Sequence, residues 1–319
     1  MKHRQYLRYW VDAMALIVAF GNPVYDEIIT PSVATAGRVL SGCSTNGCLA
    51  LTRLGHRAAL VGNVGPDYYQ RFLADMRRYG VTPYAQVSAQ TGGFRLIYDA
   101  AGSGDRTLDV LGCASPVEHV PDLCAAADAI IIGPILQETP LTLIERIMAV
   151  STAPLLLDPQ GLLRALGPGE RIAHTLHPDM RRIAPLCQVI KANEVEAQVL
   201  TGVHPRGSPG EAAQRLRELG CRIAIVTLAE LGSVIDDGIR QYRIPAYATD
   251  ARDPTGAGDT YMAGFLHAYL DNPDDLYTAG CTGAATASIW IEHTGPDAPI
   301  CPDEVDRRTA TLLCRRSHL

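Results

Sequence analysis

Six short apolar runs recur along the chain: MALIVAF, AALVGNVG, AIIIGP, PLLLDPQ, CQVIKAN and IAIVTLA. They do not alternate with polar residues, and most give way to Gly, Pro or Asn. Strands buried on both faces of a parallel sheet have this pattern, because neither face meets water. Between the runs lie helical patterns: STNGCLALTRLG, YYQRFLADMRRYG, PGEAAQRLRELG and GDTYMAGFLHAYL. Several close on Gly, the usual residue just past a helix end. The alternation predicts a doubly wound α/β domain, a mainly parallel sheet flanked by helices.

Two segments break this rhythm. DEIITPSVATAGRVLSG and GGFRLIYDAAGSGDRTLDVLG alternate polar and apolar residues, and the second carries a Gly/Asp-rich turn at its middle. They predict exposed antiparallel strands, near 27–41 and 92–112, forming a small β-lid over the carboxyl ends of the core strands, where such sheets bind ligands. No repeat, low-complexity stretch or linker interrupts the chain, so residues 1–319 read as one domain plus its lid.

Composition narrows the function. At 319 residues, 47% hydrophobic and 19% charged, the chain suits a globular protein with a sizeable core. A net charge of -6 argues against non-specific nucleic-acid binding, which needs a basic face to displace counterions. Nine scattered cysteines without a CxxC pair read as reduced thiols of a cytoplasmic protein. Basic residues precede the first apolar run, as in a signal peptide, but that run is short and reads as a buried first strand. No window approaches a membrane span.

The stretch DPTGAGDTYMAGF, residues 253–265, carries the chemistry. Glycines at 256 and 258 permit a tight turn with amides facing outward, and the helix that follows adds its positive dipole end. That is a site for an anion, or for negative charge that develops during a reaction. Asp259 falls in the first helical turn, where a cap is the structural explanation. A cap does not explain the bare residues before it or the small Ala263 and Gly264 after it. The phosphate loop GxxxxGK[ST] and the dinucleotide fingerprint GxGxxG are both missing, which disfavours an oxidoreductase on a similar scaffold.

These thirteen residues resemble the C-terminal signature of the ribokinase-like (PfkB) carbohydrate kinases, and the resemblance extends over nearly the whole chain. SGCSTNGCLALTRLG followed by VGNVGPD resembles a second signature, with Ser41 in place of a Gly and with Gly42 and Asn46 matching. Gly21 to Asp26 fits the N-terminal G-x-x-x-x-D pattern, NEVE fits N-x-x-E, and TLAELG fits the nucleotide turn with Ala229 in place of its first Gly. The resemblance implies a ribokinase-like fold and an ATP- and Mg2+-dependent kinase. Asp259 would be the base, and the amides of Gly256, Ala257 and Gly258 the anion hole. Asp26, Gly42 and Asn46 would hold substrate hydroxyls. Asn193, Thr227 and Gly232 would line the ATP site, and Glu196 would organise magnesium, mostly through water. A monovalent cation such as K+ near Asp253 and the EHTGPDAP loop is a further family expectation.

Taken one at a time, several of these residues have plainer readings. Asp26 is an ordinary turn residue, Asn46 a helix cap, Glu196 a solvated helix position, Arg106 a surface charge and Cys43 a small buried thiol. Arg106 is kept as a candidate substrate contact because it lies on the lid. His174 and His177 have the spacing of two ligands on one helix face, but no third ligand is near in sequence, so a surface location is favoured.

Within the family, RTLDVLGCASPVEHVPD, LLLDPQGLLRAL and IEHTGP resemble the inositol kinase branch. That adds Gln160 as a substrate contact and Asp158 as a site or magnesium residue. A cyclitol such as myo-inositol leads as acceptor, with a sugar or nucleoside still open. A non-catalytic ligand sensor is the alternative of another class, given the departures at Ser41 and Ala229. The partner is a small molecule rather than nucleic acid or membrane, and the protein a monomer or homodimer.

Overall fold

A computed structural model describes residues 14–98, 106–167 and 171–315. Strand β1 (Leu16–Phe20) opens the core, and β2 (Val24–Ile29) and β3 (Val39–Ser41) leave it for the lid. Helix α1 (Cys43–Arg53), β4 (Arg57–Val64), α2 (Tyr69–Tyr79) and β5 (Thr82–Val87) return to the core. Strands β6 (Gly93–Tyr98) and β7 (Arg106–Gly112) complete the lid. Then come β8 (Ala129–Ile132), α3 (Leu141–Val150), β9 (Leu155–Leu157) and a small pair, β10 (Arg164–Leu166) and β11 (Ile172–His174). The second half holds α4 (Met180–Ile183), β12 (Val189–Ala192), α5 (Glu194–Thr201), α6 (Pro209–Arg217), β13 (Ile223–Thr227), β14 (Ser233–Asp236) and β15 (Gln241–Ile244). Helices α7 (Ala257–Asp271), α8 (Leu276–Ile291) and α9 (Pro302–Arg315) close the chain.

The main sheet runs β15-β14-β13-β12-β9-β8-β1-β4-β5. From β13 to β5 every pairing is parallel, and β14 and β15 extend the edge antiparallel. Side chains alternate between two cores. Ile17, Ala19 and Leu60 pack on one face with α7 and α8 residues such as Phe265 and Ile289. Val18, Phe20 and Val61 pack on the other with Ile144 of α3 and Leu216 of α6. Burial on both faces is why these strands read as unbroken apolar runs. The chain leaves β1 toward β4 on one side and later returns to β8 on the other. The resulting switch point opens a crevice at the carboxyl ends of β1 and β8, where ligands bind in sheets of this kind.

The lid is a separate sheet, β3-β2-β6-β7. Its β2–β3 and β6–β7 pairs are antiparallel, but β2 pairs with β6 in parallel. This corrects the all-antiparallel expectation. The chain threads α1, β4, α2 and β5 through the main domain before returning, and such a crossover brings it back in the same direction. Nor is the lid exposed on both faces. Val24, Ile28, Phe94, Leu96 and Tyr98 form a third core with Cys43 and Ile135 over the crevice. Its outer face carries Glu27 paired with Arg95 at 2.7 Å. The Gly/Asp-rich turn and the basic N-terminal stretch lie outside the described residues. His174 ends β11, and His177 lies in the loop before α4, so they share no helix. All nine cysteines lie among the described residues, and none of them forms a disulfide. Among the described residues, no helix is long and apolar enough to cross a membrane.

Candidate active site

The loop leading into α7 forms the floor of the crevice. Gly256 is the N-cap of α7 in the left-handed region, φ 84°, and no side chain caps this end. The capping role considered for Asp259 is therefore absent. Its carboxylate instead accepts a hydrogen bond from Asn46 Nδ2 at 2.9 Å, across from α1. Asn46 is correspondingly no cap either, since Gly42, at φ 118°, holds that position on α1.

The bare residues of the loop have specific neighbours. A Cβ on Gly256 would stand 2.6 Å from Trp290 Nε1 and 2.9 Å from Asn46 Nδ2. A Cβ on Gly258 would stand 2.5 Å from Lys191 Nζ. Trp290 Nε1 donates to Thr255 O at 2.8 Å and pins the loop from behind. Ala257 donates its N–H to Pro254 O at 3.1 Å, closing a turn, so its amide is already engaged. Of the three amides expected to form an anion hole, that of Ala257 is thus taken up by the turn, and Gly256 and Gly258 stand at the helix N-terminus.

Asp158 and Lys191 follow from strand register. β9 and β12 are neighbours, with Leu157 opposite Ile190. The next pair along is Asp158 and Lys191, whose Oδ2 and Nζ are 2.6 Å apart with both side chains 3% exposed. Ligand atoms of Cys43, Asp158 and Asp259 lie within 4.8 Å of one another. Burial, then the charge of Asp158, raises the Asp259 carboxyl above its usual range, while Lys191 and the Asn46 hydrogen bond oppose this. Burial and the same two carboxylates push the Cys43 thiol up, which keeps it inert. For Lys191 burial opposes the charge, but Asp158, Glu196 and Asp259 outweigh it, so the amine stays protonated.

Glu196 is buried rather than solvated. It forms a capping box with Asn193. Glu196 Oε2 accepts from Asn193 N–H at 2.8 Å, and Asn193 Oδ1 accepts from Glu196 N–H at 3.0 Å. Its other oxygen accepts from Asn193 Nδ2 at 2.7 Å. Burial and the nearby Asp158 push Glu196 up to about 7. Two buried carboxylates, Asp158 and Glu196, and the half-buried Asp259, with one paired lysine, fit a hard divalent cation, which prefers oxygen ligands. With both oxygens of Glu196 already accepting hydrogen bonds, that residue would reach a metal through water.

The remaining candidates are placed as follows. Asp26 is buried on β2 and accepts from Phe94 N–H at 2.8 Å, joining β2 to β6. Ser41, Asn46, Thr255 and Trp290, with Ile28 and Leu40, line a small cavity between lid and floor. Tyr98 on the lid meets Thr255 through their hydroxyls at 2.8 Å. Gln160 is engaged by Arg164, which donates to its Oε1 at 2.8 Å. Arg106 is the first residue of β7. Thr227 ends β13, and the turn that follows closes at Gly232, φ 87°. Ala229 in that turn takes φ 48°, so alanine holds the backbone shape of the expected glycine.

Sequence reasoning passed over three participants. Lys191 sits inside the quoted CQVIKAN run, Arg164 inside LLLDPQGLLRAL, and Glu138 outside every motif. Glu138 accepts from the N–H groups of Asn22, Ile135 and Leu136 and ties together the loops after β1 and β8. The one signal for Lys191 was a cation in an otherwise apolar strand, which must find a partner when buried.

Residues 14–303 match the family described as pfkB family carbohydrate kinase. The chain is 27% identical to a nucleoside kinase of Methanothermobacter thermautotrophicus over 90% of its own length and 92% of that protein's. It is 24% identical to a ribokinase of Staphylococcus aureus, over 89% and 96% of the two chains. Among solved structures, it superposes on a pyrophosphate-dependent kinase of the ribokinase family, complexed with a pyrophosphate analog and myo-inositol, with a TM-score of 0.77 and 21% identity. That match covers 91% of this chain and 99% of the other. Arabidopsis thaliana ribokinase complexed with ribose and ATP gives a TM-score of 0.74 at 18% identity, covering 93% and 99%.

Proposed function

The chain belongs to the pfkB family of carbohydrate kinases, and from that premise we propose that it transfers the terminal phosphoryl group of ATP to a ring hydroxyl of a cyclitol such as myo-inositol. The observation that carries the kinase chemistry is the Asn46–Asp259 hydrogen bond beside the uncapped N-terminus of α7. It holds a half-buried carboxylate next to bare amides. Asp259 takes the proton of the acceptor hydroxyl as that oxygen bonds to phosphorus. The bond from phosphorus to the bridging oxygen breaks, and its electron pair leaves on ADP. The amides of Gly256 and Gly258, at the uncapped start of α7, would stabilise the charge on the transferring group. Asp158 and Glu196 would hold Mg2+, which when bound neutralises phosphate charge. Asp26 and Asn46 would orient the acceptor, and the Tyr98–Thr255 contact shuts the lid against water.

The cyclitol reading is supported by the stretches around Asp158 and Gln160 and by the fold likeness to a kinase complexed with myo-inositol. A nucleoside acceptor is favoured instead by the nucleoside kinase similarity, which runs nearly end to end. The test is a coupled phosphate-transfer screen of myo-inositol, ribose, fructose, adenosine and cytidine, each with ATP and with pyrophosphate. Turnover of myo-inositol at least about tenfold above the others supports the proposal, and preference for a nucleoside overturns the cyclitol reading. Asp259→Asn keeps the Asn46 contact and is expected to lower kcat by about 10²–10⁴-fold while acceptor binding persists. A variant that turns over like wild type refutes Asp259 as base.

A further inference from the structure

Lys191 is the buried cation at the centre of the site, and the kinase chemistry above gives it no role. Its Nζ is 2.6 Å from Asp158 Oδ2, and among the described residues Asp158 is its one ion-pair partner. An ammonium has three N–H donors in tetrahedral array. One points to Asp158. The ammonium also lies against the Cα of Gly258, so close that any side chain there would collide with it. A purely structural ion pair requires a partner for Asp158 and nothing more. It does not require the ammonium to occupy the space of a missing side chain in the anion-binding turn. Gly258 is therefore bare for two reasons. It lies in the uncapped first turn of α7, and its missing Cβ leaves the seat for a cation.

Charge points the same way. Carboxylate oxygens of Asp158 and Asp259 lie within 4.8 Å of each other, Glu196 acts on the same lysine, and a phosphoryl group entering beside them adds further negative charge. A fixed cation at that position costs no reorganisation when the charge arrives. Arg164 is the other buried cation nearby, but its guanidinium is turned to Ile135 O and Gln160 Oε1.

We propose that Lys191 is a catalytic residue whose ammonium, seated against Gly258 and steered by Asp158, donates a hydrogen bond to an oxygen of the phosphoryl group being transferred. This rests on the kinase reading. The transfer itself is as above: the proton goes to Asp259, the new bond forms from the acceptor oxygen, and the leaving pair goes to the nucleotide. Lys191 stays protonated throughout and contributes only its field and one donor.

The experiment uses the full chain, the acceptor that wild type phosphorylates best, and four variants: Lys191→Met, Lys191→Ala, Gly258→Ala and the Lys191→Met/Gly258→Ala double. Losing one such donor lowers rates by about 10²–10³-fold, so Lys191→Met is expected to lose at least about 10²-fold in kcat. Its acceptor affinity, read by calorimetry, should stay within about twofold. Binding of the Mg2+ complex of AMP-PNP, also by calorimetry, should weaken at least about fivefold, a readout independent of turnover. Gly258→Ala, which keeps the charge but blocks its seat, should lose a comparable factor. The double variant should be no more than about threefold worse than Lys191→Met alone, because the two substitutions remove one interaction. Propylammonium should restore Lys191→Ala by at least about tenfold, which a merely structural lysine does not predict. Should Lys191→Met fail to fold, Gly258→Ala and the amine rescue carry the same test. Folded Lys191→Met with kcat within about threefold of wild type, or fully additive losses in the double, overturns the proposal and leaves the kinase reading standing. A wild type that phosphorylates none of the acceptors overturns both.

Discussion

His56 and His267 form a neutral pair that should make the protein lose stability in mild acid. His56 Nε2 and His267 Nδ1 are 2.8 Å apart, with the rings edge to face. His56 follows α1 and His267 lies on α7, so the pair joins the helices that carry Asn46 and Asp259. One N–H lies between the two nitrogens. Protonating the acceptor ring sets two N–H groups against each other in a half-buried place. Burial, then the neighbouring His56, lowers His267 from 6.5 to about 4. Burial lowers His56 too, against a weak opposing pull from Asp128. A folded-state value depressed below the unfolded one stabilises the protein fully above pH 6.5. That stabilisation is lost as pH falls from 6.5 toward 4, because the unfolded chain takes up the proton first. Linkage over that interval gives about 2 kcal/mol lost between pH 7.5 and pH 5, and about 3 kcal/mol by pH 4. His267→Asn keeps an amide acceptor near the Nδ1 position and does not titrate. Urea denaturation of both proteins at pH 7.5, 6, 5 and 4 isolates the effect as a difference. Wild type should lose about 2 kcal/mol more than the variant by pH 5. Parallel curves within about 0.5 kcal/mol would refute the pair as the source.

Two further substitutions test the local arguments. Ala229→Gly relieves an alanine at φ 48°. The relief of about 1 kcal/mol is nearly cancelled by the greater freedom of glycine in the unfolded chain. Its denaturation midpoint should barely move, whereas Ala229→Val should cost about 1–3 kcal/mol by the same measurement. Glu138→Gln exchanges one acceptor oxygen for an amide group facing backbone N–H donors from Asn22, Ile135 and Leu136. It should lower unfolding free energy by about 1–3 kcal/mol, and an unchanged value would show that these bonds do not hold the crevice loops.

What could be read from the sequence divides by the range of the physics involved. Core strands were readable because burial on both faces leaves a local trace, the unalternating run. The anion-binding turn was readable because its glycines and its helix start are contiguous. Parallel pairing of β2 with β6 was not, since Glu27 meets Arg95 only after the chain has crossed the main domain. Helix α8 left no period to find. It is buried on nearly every side, and Thr282 and Thr286 satisfy their hydroxyls on the carbonyls of Thr278 and Thr282 one turn back. The site divides the same way. Asp259 stands out within its own motif, but its partner Asn46 lies on another helix and, taken alone, reads as a helix cap. Lys191 shows the limit most clearly. Within CQVIKAN it looks like any strand-end lysine, and Asp158 stands out only through the resemblance of LLLDPQGLLRAL to the inositol kinase branch. Strand order alone makes them neighbours, because β9 lies beside β12 and the register carries Leu157 and Ile190 on to the next pair. A charge in an apolar run is expensive to bury alone, so the cost of Lys191 was visible in the sequence. The carboxylate that offsets it, and the missing side chain at Gly258 that gives it room, belong to the fold.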